Sequence, residues 1–122
     1  MTLLAVVTAG ALAAVARYVV DGMVQDRVEG VFPWGTFVVN VSGSFAAGVL
    51  AGLALYHGLS ETPRATLAVG FCGAYTTFST LTYETIRLVE DGARFTALTN
   101  LLTSALAGLA AAGSGLALTA MF

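Results

Sequence analysis

Four apolar runs divide this chain, at 2–20, 35–56, 65–89 and 95–120, and only short polar joints separate them. Each run is close to the roughly 20 residues that a helix needs to cross a bilayer, and that constrains the fold more than any other feature. Charge keeps to the joints and the span ends. Only 10% of the 122 residues are charged, against about 25% in a soluble domain, and mean hydropathy is +0.86. The expected fold is therefore all-α and integral to the membrane, one transmembrane domain over residues 1–122 with four spans. The first run lacks the positive leader of a signal peptide, because Arg17 is the first basic residue, so it reads as a retained span. A net charge of −2 with no lysine argues against a nucleic-acid partner. The single cysteine, Cys72, excludes an intrachain disulfide and a cysteine-rich metal site and reads as a small packing residue. His57 precedes Gly58 at a membrane edge and reads as a solvated loop histidine.

The third run is interrupted by Gly70-Phe71-Cys72-Gly73-Ala74-Tyr75-Thr76-Thr77-Phe78-Ser79-Thr80. Glycine weakens a helix and hydroxyl side chains compete for its backbone groups. Irregular backbone at membrane depth survives only where protein covers it or where it lines a watery cavity. This predicts a helix break over 73–80 and a functional centre there, with an idle kinked helix as the alternative. The second run carries Asn40, Ser42 and Ser44, then a Gly48/Gly52 pair that would let another helix approach closely. In the fourth run Thr96, Asn100, Thr103 and Ser104 share one helical face, continued by Gly108 and Ala112. Helix packing alone would also account for that stripe. Glu84 and Arg87, three residues apart near the end of the third run, are expected at the water boundary.

No constellation for catalysis is present. The chain has one histidine, no cysteine pair, no phosphate-cradling glycine loop and no carboxylate pair inside a span. What the spans contain instead is neutral hydrogen-bond donors at depth, which suit a dehydrated anion. A fixed full charge would hold such an ion too tightly to conduct it. The positive edge of the Phe78 ring could also face an anion, whereas carbonyls released by the break would suit a hard cation such as Na⁺.

Two long motifs, Pro33-Trp34-Gly35-Thr36-Phe37-Val38-Val39-Asn40-Val41-Ser42-Gly43-Ser44-Phe45 and the 70–80 stretch, occur in the order and spacing of a known family. Arg17-Tyr18 and Ser104 with Gly108-Leu109 fit as well. By these motifs the chain resembles the Fluc/CrcB fluoride channels over nearly its whole length. The resemblance implies a multi-pass protein of the inner (plasma) membrane that passes fluoride out passively and relieves its toxicity. It implies an antiparallel, dual-topology dimer within the lipid, with itself or with a homologous partner subunit, and a structural Na⁺ at the dyad. By residue it assigns Asn40, Phe78, Thr77 and Ser104 to the pore, the carbonyls of Gly73 and Thr76 to Na⁺, and Arg17 to a vestibule. On this view Asn40→Ala and Phe78→Ile each remove a pore contact, and Gly73→Val crowds the break and impairs folding.

Two pore positions depart from the family pattern. Leu81 stands where a second phenylalanine is usual, and Asn100 where an aromatic is usual. The arginines are also lopsided: Arg17, Arg27, Arg87 and Arg94 fall on one side of a four-span topology and Arg64 on the other. By the positive-inside rule this places both termini outside. Together these features favour one member of an unlike pair of subunits, with a non-conducting partner subunit as the variant of that reading. A small multidrug/proton antiporter is the rival from another class, but it needs an acid at depth, and the first span has none before Asp21.

Overall fold

The computed structural model describes all 122 residues. It is built of helices: α1 (Thr2–Gln25), α2 (Trp34–Tyr56), α3 (Glu61–Arg64), α4 (Gly73–Tyr75), α5 (Phe78–Glu90) and α6 (Arg94–Thr119). A π-helical segment, Ala65–Cys72, joins α3 to α4 without interruption. By length and composition α1, α2 and α6 could each cross a membrane.

Local chemistry explains where these helices begin and end. The apolar run predicts a first span ending at Val20, yet α1 runs on through Asp21. Gln25 Nε2 donates to Asp21 Oδ1 at 2.9 Å, and such pairs four residues apart support another helical turn. Pro33 precedes the start of α2, where its missing N–H and fixed φ cost nothing. Around that start Phe32, Trp34 and Phe37 form an aromatic cluster with centroids 4.7 to 5.8 Å apart.

Small residues set the packing. A Cβ at Gly48 would land on the Ala112 carbonyl of α6, and one at Gly52 on the Thr119 hydroxyl. In return, a Cβ at Gly115 of α6 would land on the Phe45 carbonyl and stand 2.8 Å from the Val49 nitrogen. The predicted Gly48/Gly52 pair thus lies in the α2–α6 contact, and both glycines are buried. On the other side of the molecule α1 crosses the π-helical segment at Gly70, where an added Cβ would stand 2.7 Å from the Val6 carbonyl. Ala13, Val39 and Tyr75 form the buried apolar core between α1, α2 and α4.

One end of the bundle is tied by polar contacts. His57 Nε2 donates to the Thr119 carbonyl at 2.8 Å, and the hydroxyls of Thr2 and Thr62 meet at 3.2 Å. His57 is therefore exposed but anchored, rather than merely solvated. Only 18 of 122 residues are buried, so most large apolar side chains face outward, to be covered by lipid or by other protein.

The glycine contacts yield a stability prediction. Gly48→Ala should lower the unfolding midpoint in denaturing detergent, because overpacking a close contact costs about 1–3 kcal/mol. Gly113, where an added Cβ would meet nothing within 4 Å, serves as control. Gly113→Ala should hold or raise the midpoint, and equal losses at both sites would refute the close-contact argument.

Candidate functional site

The site grows from two residues that leave the helical conformation. Thr76 (φ −73°, ψ 154°) and Thr77 (φ −145°, ψ 116°) are extended, between α4 and α5. Thr76 ends α4 by turning both its N–H and its hydroxyl onto the Cys72 carbonyl, at 3.0 and 2.9 Å. Thr77 starts α5 as its N-cap, with its Oγ1 accepting from Thr80 N at 3.2 Å.

Asn40 closes the gap this leaves. Its Oδ1 accepts from Thr77 N at 2.7 Å, and its Nδ2 donates to the Thr77 carbonyl at 3.0 Å. A side-chain amide thereby pairs with both backbone groups of one residue, as a neighbouring strand would. In a regular helix the Thr77 N–H would have served the Gly73 carbonyl. Here that carbonyl loses its usual donor, and the Thr76 carbonyl accepts no hydrogen bond from the chain. The chain gathers no cluster of three His, Cys, Asp or Glu side chains that could hold a metal.

A groove of about 420 Å³ opens beside the extended pair. Asn40 and Ser44 of α2, Thr76 and Thr77, Phe78 and Leu81 of α5, and Leu101, Ser104 and Ala105 of α6 line it. Of the expected pore residues, the fold thus brings together Asn40, Thr77, Phe78, Leu81 and Ser104. Phe78 is 79% exposed at its rim. An amide nitrogen carries two hydrogens, and only one of those on Asn40 is engaged within the chain.

Ser44 belongs to the same wall, and sequence reasoning missed its place in the site. It lies four residues after Asn40 and hence on the same helical face, which is the signal that could have found it. Asn100 lies elsewhere. It is fully buried at 0% exposure between α5 and α6, donating to Thr85 Oγ1 at 2.9 Å, and it does not line the groove.

Arg17 lines a second, smaller cleft of about 150 Å³ together with Asp21, Thr36, Thr77 and Thr80. Thr77 is the residue that the cleft and the groove share. Nearby, Glu84 turns inward: its Oε1 accepts from Thr36 Oγ1 at 2.9 Å, while its Oε2 is buried without a partner. Arg87 is exposed, with its guanidinium 6.0 Å from the Tyr83 ring centroid. Glu84 is thus half-buried and Arg87 exposed.

Gly73 requires a correction. It is helical and exposed, and a Cβ there would find nothing closer than the Ala68 carbonyl at 3.8 Å. A Cβ at this position is in ordinary van der Waals contact only.

Comparison with known proteins gives concordant matches. Residues 4–116 match the family described as "CrcB-like protein, Camphor Resistance (CrcB)". The chain is 47% identical over 115 residues to "Fluoride-specific ion channel FluC 1" of Streptomyces avermitilis, covering 94% of this chain and 93% of that one. It is 47% identical over 116 residues to "Fluoride-specific ion channel FluC 1" of Leifsonia xyli, covering 95% and 85%. It is 46% identical over 104 residues to "Fluoride-specific ion channel FluC" of Geobacter sulfurreducens, covering 84% of each.

The Asn40 geometry predicts a separation of effects. Asn40→Ala leaves the Thr77 N–H and carbonyl unpaired, at about 1–3 kcal/mol each, and should lower the unfolding midpoint in detergent clearly. Phe78→Ile alters an exposed side chain and should leave that midpoint unchanged. An Asn40→Ala protein as stable as the wild type would refute the bridging role.

Proposed function

This chain belongs to the CrcB family, and on that premise we propose that it is a subunit of a fluoride-specific channel through which fluoride leaves the cell passively across the plasma membrane. The single observation that carries the reading is the groove beside Thr76 and Thr77. It offers the second amide hydrogen of Asn40, the hydroxyls of Ser44 and Ser104, and the Phe78 ring, with no formal charge among its lining residues. Neutral donors can replace the hydration of a small anion and still release it, as conduction requires.

In this reading the residues from Glu61 to Tyr75 and those of α5 are two halves of a third membrane crossing, interrupted at Thr76 and Thr77. Two copies, or this chain and a homologous partner, pair in antiparallel fashion at that interruption. The open space around Gly73 supports this, since a glycine with room inside its own subunit suits a position where a second subunit comes close. The freed Gly73 and Thr76 carbonyls suit a hard cation such as Na⁺, which would supply a fixed positive charge where the two interrupted helices meet.

A second reading, an obligate pair of unlike subunits, is favoured by Leu81. It occupies the groove with an aliphatic side chain, which has no ring edge to offer an anion. The uneven distribution of the arginines also suits a fixed orientation.

Two measurements test these readings. Liposomes holding the purified chain alone should release fluoride rapidly and chloride slowly if it forms a homodimeric channel. Folded protein without fluoride efflux would instead require the unlike partner. Gly73→Val should fold normally as a subunit and yet lower the dimer fraction at least several-fold, as read by crosslinking in membranes. Undiminished dimer would count against placing Gly73 at the subunit contact.

A further inference from the structure

Hydroxyl side chains in these helices share a habit. Thr8, Thr82, Thr85, Thr99, Thr103 and Ser114 each donate to the main-chain carbonyl four residues back, at 2.6 to 2.9 Å. Ser104 departs from it. Its Oγ donates to the side chain of the residue four back, Asn100 Oδ1, at 3.5 Å.

The orientation of that amide is fixed from its other end. The one Thr85 hydroxyl hydrogen goes to the Leu81 carbonyl at 2.7 Å, so Thr85 Oγ1 can only accept from Asn100. Asn100 must therefore present Nδ2 to Thr85, at 2.9 Å, and Oδ1 to Ser104. The result is a relay, Ser104 to Asn100 to Thr85 to the Leu81 carbonyl, whose two end residues both line the groove.

We infer that Asn100 is a positioning residue for Ser104. Its buried amide draws the Ser104 hydroxyl off the main-chain carbonyl and holds it by a long bond that is easily given up to an anion in the groove. This rests on the channel reading given above. Ser104 has one hydrogen to donate. A bond at the outer limit of hydrogen-bond distance is weak, whereas the bonds its neighbours make to main-chain carbonyls are short. Without Asn100 the hydroxyl adopts the habit of those neighbours, and the groove loses a donor.

The test is a double-mutant cycle on fluoride efflux, run in whichever assembly of the full chain conducts, alone or with its unlike partner. Asn100→Leu keeps the branching of the amide while removing its polarity, and leaves Thr85 bonded to Leu81. Asn100→Leu and Ser104→Ala should each slow fluoride efflux about five-fold, the worth of one net hydrogen bond. The double variant should be no slower than either single. Efflux losses that multiply, or an Asn100→Leu protein that conducts like the wild type, would overturn the inference.

Unfolding midpoints of the same four proteins separate this role from mere packing. A packing role lowers the midpoint of Asn100→Leu but leaves its effect on efflux independent of Ser104, and that result overturns the positioning role. Failure of the channel reading looks different. Folded wild-type protein would then pass no fluoride in either assembly, which removes the premise and the inference together.

Discussion

The pairing of the Asn40 amide with both backbone groups of Thr77 is the interaction on which the rest depends. A helix interrupted inside an apolar protein leaves N–H and C=O groups with no water to satisfy them, at several kilocalories per mole for each group left unpaired. One asparagine answers for two of them. In doing so it fixes where α5 begins, sets Phe78 beside the groove, and leaves the carbonyls of Gly73 and Thr76 without their helical donors. The same amide keeps a spare hydrogen, so the residue that stabilises the extended pair also equips it as a donor.

Asn40 reaches Thr77 because α2 is stripped of bulk wherever another segment must come close. A Cβ at Gly43, one turn beyond Asn40, would collide with the Thr76 methyl and stand 3.0 Å from Tyr75 Cδ1. At the start of α2, Gly35 gives room to Asp21 of α1, and Thr36 beside it holds Glu84 of α5. Toward the far end Gly48 and Gly52 take α6. Lipid supplies no hydrophobic force between helices, so close van der Waals approach and buried polar contacts must hold them. On α2 both kinds of contact lie on the same helix, and the site inherits its precision from that packing.

Much of this was legible in the sequence, because polarity inside an apolar run is costly and therefore informative. Asn40, Thr77 and Ser104 stood out on that ground, Phe78 by its ring beside the break and the family resemblance, and the groove gathers all four. Asn100 stood out equally, and there the same reasoning stopped short. Periodicity gives the face of α6 on which a residue lies, but it cannot say which neighbouring helix covers that face. Asn100 and Ser104 share a face, yet α5 buries the first while the groove exposes the second's wall. The bond between Asn40 and the Thr77 backbone was illegible for a similar reason, since it joins residues 37 positions apart. The π-helical winding of Ala65–Cys72 leaves no mark in residue type, because its residues are ordinary apolar ones. Gly73 was misjudged because a glycine looks the same in one sequence whether or not its own fold leaves room for a side chain there.

The groove is open rather than enclosed, and Phe78 lines it with most of its surface exposed. An anion there would meet donors from α2 and α6 and would keep much of its water on the open side. Full replacement of its hydration needs a second wall of similar chemistry, and in an antiparallel pair the matching surface of another subunit can supply one. The formal charge stays apart from this arrangement: Arg17 faces the separate cleft, with Thr77 between the two. On the channel reading, the Arg17 cleft, which Asp21 also lines, would stay out of the anion's path, and the neutral groove would set selectivity through how closely its few hydrogens can converge on a small ion.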